Sequence, residues 1–260
     1  MSERAIGSME AEFRAKRAAG RKLLVPYITG GLPGWQDALR AAVAAGADAI
    51  EIGIPFSDPV MDGPIIQQAS QAALEAGATP VSILHDARAL DVSVPLAVMT
   101  YYNTVHHAGH ERFAAQLASA GIVAAIVPDL PLEESGPWCT AADAAGIETV
   151  MLAAPTAPDE RLPRVAARAR GFVYSVGLLG VTGERDVLAH TAAALARRLK
   201  AITDVPVLIG VGVSNAAQAR EACEVADGVV MGASVVRRLL EGGADAVGEF
   251  VADVRAVIDR

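Results

Sequence analysis

Ala49-Ile50-Glu51-Ile52-Gly53-Ile54-Pro55-Phe56-Ser57-Asp58-Pro59-Val60-Met61-Asp62-Gly63-Pro64 reads as an apolar strand that carries one carboxylate and then breaks into a turn that carries two more. Burying an ionised carboxylate without a partner is strongly unfavourable. Glu51 is therefore paired, protonated, or turned toward a cavity that receives a ligand, and perturbed acids in such places are functional-site candidates. The strand around it is a near-continuous apolar run, as expected of a parallel sheet covered on both faces.

Seven further runs of this kind follow the same rhythm: Leu23 to Ile28, Pro95 to Thr100, Ala124 to Val127, Glu148 to Ala153, Phe172 to Val176, Val205 to Gly210 and Gly228 to Met231. Ala-rich helical segments separate them, and alternating strands and helices imply parallel pairing through right-handed crossovers. Gly46, Gly77, Gly121 and Gly146 end four of the helical segments and read as C-terminal caps. Eight such units in about 240 residues favour an α/β fold of the (β/α)8 TIM-barrel type over an open doubly wound sheet. An amphipathic segment from about Met9 to Ala19 adds an extra N-terminal helix, and residues 1–260 read as a single barrel domain.

Composition agrees with one globular unit. The 260 residues are 52% hydrophobic and 20% charged, enough apolar material for a large core. A net charge of -8 argues against a nucleic-acid partner, because phosphate backbones demand clustered Lys and Arg. Arg197-Arg198-Leu199-Lys200 and Arg237-Arg238 are short and read as polar helix faces. Cys139 and Cys223 are far apart, so neither a disulfide framework nor a cysteine metal site is indicated. The opening Met1-Ser2-Glu3-Arg4-Ala5 has no apolar signal core, and no stretch approaches the roughly 18 apolar residues that span a membrane. The expectation is a soluble, cytoplasmic protein with no membrane partner.

A barrel of this type carries its chemistry at the C-terminal ends of the strands. Thr29-Gly30-Gly31, the acids Glu51, Asp58 and Asp62, Tyr101-Tyr102-Asn103 and Asp129 all fall there. Glycine-bearing segments follow the last three strands: Gly180-Val181-Thr182-Gly183, Gly210-Val211-Gly212-Val213-Ser214 and Gly232-Ala233-Ser234-Val235. Barrels often bind phosphate with the loops after strands seven and eight and the N-terminus of a short additional helix, where glycines allow close approach. A short phosphate-binding helix after strand eight is thus expected. There is no P-loop, and Gly210-Val211-Gly212 lacks the rest of a dinucleotide fingerprint.

Blander readings stand beside these. Glu51 could sit in a buried ion pair, although inward strand positions offer few basic residues. Asp58 and Asp62 could cap their own turn, since Asp before Pro or Gly often does; this fits Asp58 better than Asp62. His106-His107-Ala108-Gly109-His110 lacks the companion groups of a metal site and reads as solvated or capping, with the Ala-Gly pair as a helix entry. Taken together, the residues describe a phosphorylated small molecule held by loops six to eight, its reacting end near two acids after strand two. Desolvation raises one carboxyl so that it exchanges protons near neutral pH, while a better-solvated one stays ionised.

At these residues the chain resembles the tryptophan synthase alpha-chain family. The likeness is carried by Glu51 to Pro59 with Asp62-Gly63-Pro64, Met99-Thr100-Tyr101-Tyr102-Asn103, Pro128-Asp129-Leu130-Pro131-Leu132-Glu133-Glu134, Tyr174 with Gly180 to Gly183, and Gly210 to Ser214. The resemblance implies a lyase that cleaves indole-3-glycerol phosphate to indole and glyceraldehyde 3-phosphate by a retro-aldol reaction, with no metal or cofactor in this chain. Carried over, Glu51 moves the protons and Asp62 holds the indole N–H. The same likeness places Tyr101, Tyr174, Thr182, Gly183, Gly212, Gly232 and Ser234 in substrate binding, with Thr182 on a loop that closes over the site. It also implies a pyridoxal-phosphate-dependent beta chain as partner in an α2β2 complex, touching the loops after strands two and six and the Asn103 and Asp129 regions.

This sequence departs from the family pattern at Gly177 and Leu178, where Ser and Arg are frequent, at Ala72, where Arg is common, and at Gly232-Ala233-Ser234, which replaces Gly-Ser-Ala. Moving a hydroxyl one place along a helix turns it about 100°. Two other functions remain open from sequence: a weakly catalytic subunit that mainly activates a beta chain, and a free-standing lyase that releases indole.

Overall fold

Strand pairing closes in chain order. The computed structural model describes residues 6–177, 185–210 and 212–259, with backbone alone at 185–190. Strands β1 (Leu23–Thr29), β2 (Ile50–Gly53), β3 (Leu96–Met99), β4 (Ala124–Ile126), β5 (Glu148–Ala153), β6 (Val173–Ser175), β7 (Val207–Ile209) and β8 (Gly228–Met231) form a closed parallel barrel in which β8 pairs with β1. Around it run α1 (Ser8–Ala18), α2 (Trp35–Ala44), α3 (Pro64–Glu75), α4 (Pro80–Arg88), α5 (Tyr102–Ala108), α6 (His110–Ser119), α7 (Gly136–Ala144), α8 (Leu162–Arg168), α9 (Arg185–Lys200), α10 (Ala216–Val225) and α11 (Ala233–Ile258). All eight expected strands are present. Several are shorter than the apolar runs, because the flanking residues hold a single bond to the neighbouring strand: Ile50 N–H donates to Pro95 O at 3.1 Å and Thr100 N–H to Ile126 O at 3.0 Å.

Period-two alternation sorts the strand residues into two cores. Leu23, Val25, Ala97, Ile126, Val150, Phe172, Leu208 and Val230 fill the barrel. Leu24, Ile28, Ile50, Ile52, Val98, Val173 and Val207 point outward beneath the helices. Gly46, Gly77, Gly121 and Gly146 all take positive φ at the ends of α2, α3, α6 and α7. After each of the four, the next N–H reaches back to a carbonyl in the last helical turn, as in Ala47 to Ala42 at 3.1 Å.

Helix α1 plugs the N-terminal end of the barrel. Met9 and Phe13 are fully buried among the inward residues, and Glu148 at the start of β5 accepts the N–H groups of Met9 and Glu10 at 2.8 and 3.0 Å. A carboxylate at a helix N-terminus is favourable both for its hydrogen bonds and for the helix dipole. Gly7 is required by this contact, since a Cβ there would stand 2.2 Å from Glu148 Cδ.

The same end holds a buried ion cluster. Asp48, fully buried just before β2, accepts from Arg21 Nε at 2.8 Å and Leu24 N–H at 2.9 Å, lies 3.2 Å from Lys16 Nζ, and is bound by Arg255 from α11. Burial alone would raise its carboxyl, but these partners hold it below its ordinary value. At the other end, α11 bends at Gly243 (φ 70, ψ -159), so 233–242 forms the short helix expected after β8 and the remainder is a second arm.

Candidate active site

Ile50 and Ile52 face outward, so Glu51 between them faces into the barrel, beside Tyr27 of β1 and Ala97 of β3 in the register. The inner layer at this height is crowded by two phenols. A Cβ on Gly53 would lie 1.9 Å from Tyr27 Oη, and one on Gly210 would lie 2.2 Å from Tyr174 Oη. Glycine at both positions lets the two rings lie across the barrel beside Glu51. Burial raises both phenols well above their ordinary range, so they are neutral hydroxyls.

Above this layer opens a cavity of about 590 Å³. From the β1–β3 side and β6 it is lined by Tyr27, Glu51, Asp62, Ile66, Met99 and Tyr174, and from the β7 and β8 loops by Gly210, Gly212, Gly232, Ala233, Ser234, Arg237 and Arg238. Two smaller hollows between α4 and α6, of about 350 and 450 Å³, hold no facing acids.

Glu51 is 2% exposed, and its Oε2 has no hydrogen-bond partner among the described residues. No Lys, Arg or His among those residues forms an ion pair with it either, so the buried-pair reading is not what the described part of the barrel contains. Burial first, and then the negative charge of Asp62, push its carboxyl up to about 8. Asp62 is half-buried, and burial raises its carboxyl while a hydrogen bond from Tyr101 works in the opposite direction.

Tyr101 stands elsewhere than expected. It is 2% exposed and does not line the cavity; its ring stacks on Phe56 at 5.2 Å, and its Oη accepts the Met61 N–H at 3.0 Å. It lies beneath the β2 loop and fixes the backbone that carries Asp62. Gln67 Nε2 ties the other side of that turn, donating to Asp62 O at 2.8 Å. Asp58 is exposed and accepts from Ser57 Oγ at 2.6 Å, which is turn chemistry.

On the opposite wall Gly212 takes positive φ, and Gly232 is the N-cap of α11, whose first-turn N–H groups have no acceptor within the helix. Ala233 and Ser234 expose that turn to the cavity. The Ser234 hydroxyl donates to Val213 O at 3.4 Å, so the relocated side chain is engaged with backbone. Leu178, Thr182 and Gly183, with the rest of Gly180 to Gly183, lie outside the described residues, as does Val211.

Arg237 and Arg238, read from sequence as a polar helix face, line this cavity. Their signal was positional: they follow Gly232 by little more than one helical turn, close enough to reach the helix start. The histidine cluster remains unconnected to the site. His106 and His107 are exposed, His110 Nε2 lies 3.0 Å from Tyr102 Oη, and Gly109 is the junction between α5 and α6. No group of three or more His, Cys, Asp or Glu among the described residues is placed to hold a metal ion, and no described helix is long and apolar enough to cross a membrane. Asp129 accepts the Tyr102 N–H at 2.8 Å and so caps α5. Ala72 packs against the outer core, and nothing in the structure explains its departure from the family pattern.

A family model for the tryptophan synthase alpha chain matches residues 13–257. The chain belongs to that family. A tryptophan synthase alpha chain of Thermobifida fusca is 47% identical over 232 residues, covering 86% of each chain. One from Picosynechococcus is 41% identical, covering 96% of this chain and 99% of that one. A solved tryptophan synthase structure from Mycobacterium tuberculosis superposes with a TM-score of 0.91 at 35% identity, covering 98% of this chain and 100% of that chain. The family is a lyase subunit of tryptophan biosynthesis that acts on indole-3-glycerol phosphate, and the closed eight-stranded barrel agrees with it.

Proposed function

We propose that Glu51 and Asp62 carry the cleavage of indole-3-glycerol phosphate in this chain. The observation that bears most of the weight is Glu51: a buried acid raised to about 8, with an unpartnered oxygen, lining the same cavity as Asp62. At neutral pH such a group is largely protonated and serves as general acid. Its proton goes to indole C3, leaving positive charge on the ring that an ionised Asp62 stabilises through the indole N–H. The bond from C3 to the glycerol chain then breaks, the electron pair returns to the ring, and the adjacent hydroxyl becomes the aldehyde as its proton passes to the Glu51 carboxylate. Glu51 ends as it began, having moved one proton from oxygen to carbon.

Tyr174 flanks the reacting chain, while Gly212, Gly232 and the first turn of α11 receive the phosphate through backbone N–H groups. Gly183 and Thr182 complete the subsite and its closing loop by family analogy. The chain needs no cofactor of its own; pyridoxal phosphate belongs to a beta partner, which joins it in an α2β2 complex in the cytoplasm. The exposed loop at Asp58 and Val60 is available for such docking. Indole release tests the reaction. The parent protein forms indole from indole-3-glycerol phosphate, Glu51→Gln does not, and Asp62→Asn loses rate while keeping substrate affinity. Unchanged turnover in Glu51→Gln would overturn the assignment. Adding the beta chain and following complex formation by size exclusion tests the partner.

A further inference from the structure

The cavity is electrically polar along its length, with Glu51 and Asp62 on the β2 side and Arg237 and Arg238 on α11. An ionised Asp62 repels a phosphate dianion, the protonated Glu51 offers it no attraction, and the two arginines draw it. Side-chain donors at the helix start are scarce: Ala233 has no hydroxyl, and that of Ser234 is given to Val213 O. Arg237 lies four residues beyond Ala233, on the same face, and helical side chains lean toward the N-terminus, so its guanidinium covers the turn that begins at Ala233.

The two arginines are not equivalent. Arg238 Cζ sits 4.8 Å over the Phe250 ring, tied to the second arm of α11. Arg237 is exposed and pairs with no carboxylate among the described residues, although Glu241 stands one turn further along the same helix. A cation about one turn from a helix N-terminus is opposed by the helix dipole; an anion bound at that terminus removes the conflict. We propose that Arg237 is a substrate-binding residue that contacts the phosphate of indole-3-glycerol phosphate, supplying the side-chain donor that position 233 lacks. This rests on the phosphate reading above and adds to it a charged contact that fixes the substrate's direction in the cavity.

Steady-state indole release is measured for the parent, Arg237→Gln and a distant control, Arg40→Gln, with indole-3-glycerol phosphate and with unphosphorylated indoleglycerol. Arg237→Gln raises KM for the phosphorylated substrate about five- to tenfold, as expected for one partly exposed charge-assisted contact, with kcat held. The indoleglycerol kinetics do not change, and added salt narrows the gap between parent and variant. An unaltered KM, or an equal loss with both substrates, overturns the contact. A parent protein that releases no indole overturns the assigned reaction instead, so the two failures are told apart.

Discussion

Asp48 and Glu51 are three residues apart in the chain and are both buried, yet their surroundings are opposite. Asp48, at the closed end of the barrel, accepts from Arg21 and Leu24, touches Lys16 and Arg255, and is held below its ordinary value. Glu51, at the open end, has an oxygen with no partner among the described residues and is raised to about 8. One acid is fully compensated and serves the fold. The other keeps an uncompensated proton and serves the reaction. The barrel therefore separates the two tasks along a single strand: its N-terminal end is sealed by α1 and ion pairs, and its C-terminal end stays open.

The largest effect should come from breaking the open end. Glu51→Gln keeps the shape and removes the exchangeable proton, so turnover falls about 10²- to 10⁴-fold while the circular dichroism spectrum stays that of the parent. The mirror experiment breaks the closed end. Asp48→Ala removes the buried carboxylate from Arg255, which keeps only the more exposed Asp259 on the next turn, so the loss is at or below about 3–5 kcal/mol, the cost of a fully orphaned buried charge. Urea unfolding would show that loss, whereas turnover per folded molecule stays at the parental level.

A pH series sharpens the contrast, because the two acids contribute with opposite signs. Glu51 has a folded pKa above its ordinary 4.5, so the stability it allows is complete below 4.5 and is lost as pH rises toward about 8. The slope across that window is at most about 1.4 kcal/mol per pH unit, and Glu51→Gln removes it. Asp48 has a folded pKa below its ordinary 3.8, so its contribution is present above 3.8 and disappears as pH falls beneath it. Urea midpoints from pH 3 to 9 for the parent and both variants check this, and identical curves for parent and Glu51→Gln between pH 5 and 8 would contradict it. The smallest effect belongs to Tyr101→Phe. It removes the acceptor of Met61 N–H, a neutral bond of about 0.5–1.5 kcal/mol, together with the hydroxyl that holds the Asp62 carboxyl down, and shows as a modest loss of kcat/KM through a looser β2 loop and a further-raised Asp62.

The strands were legible because parallel strands buried on both faces must be apolar throughout; helix ends were legible because Gly46, Gly77, Gly121 and Gly146 are needed at positive φ. Glu51 was legible for the opposite reason, as a charge where a buried strand tolerates none. The nearness of Tyr101 to the site was legible, and its hydroxyl meets Asp62, but its position in the chain does not reveal which side of the β2 loop the ring occupies. Arg237 and Arg238 were hidden for a similar reason. A basic pair on a helix looks solvated until the bend at Gly243 and the packing of Arg238 on Phe250 fix where that helix begins and points.

The protonation state of Glu51 in the resting protein is the most direct test of this account. Carboxyl-carbon NMR on protein labelled at glutamate, assigned by the signal that vanishes in Glu51→Gln, follows it from pH 4 to 10. The account predicts a titration near 8, with the neutral acid dominant at pH 6. A carboxylate already ionised at pH 6 would contradict it.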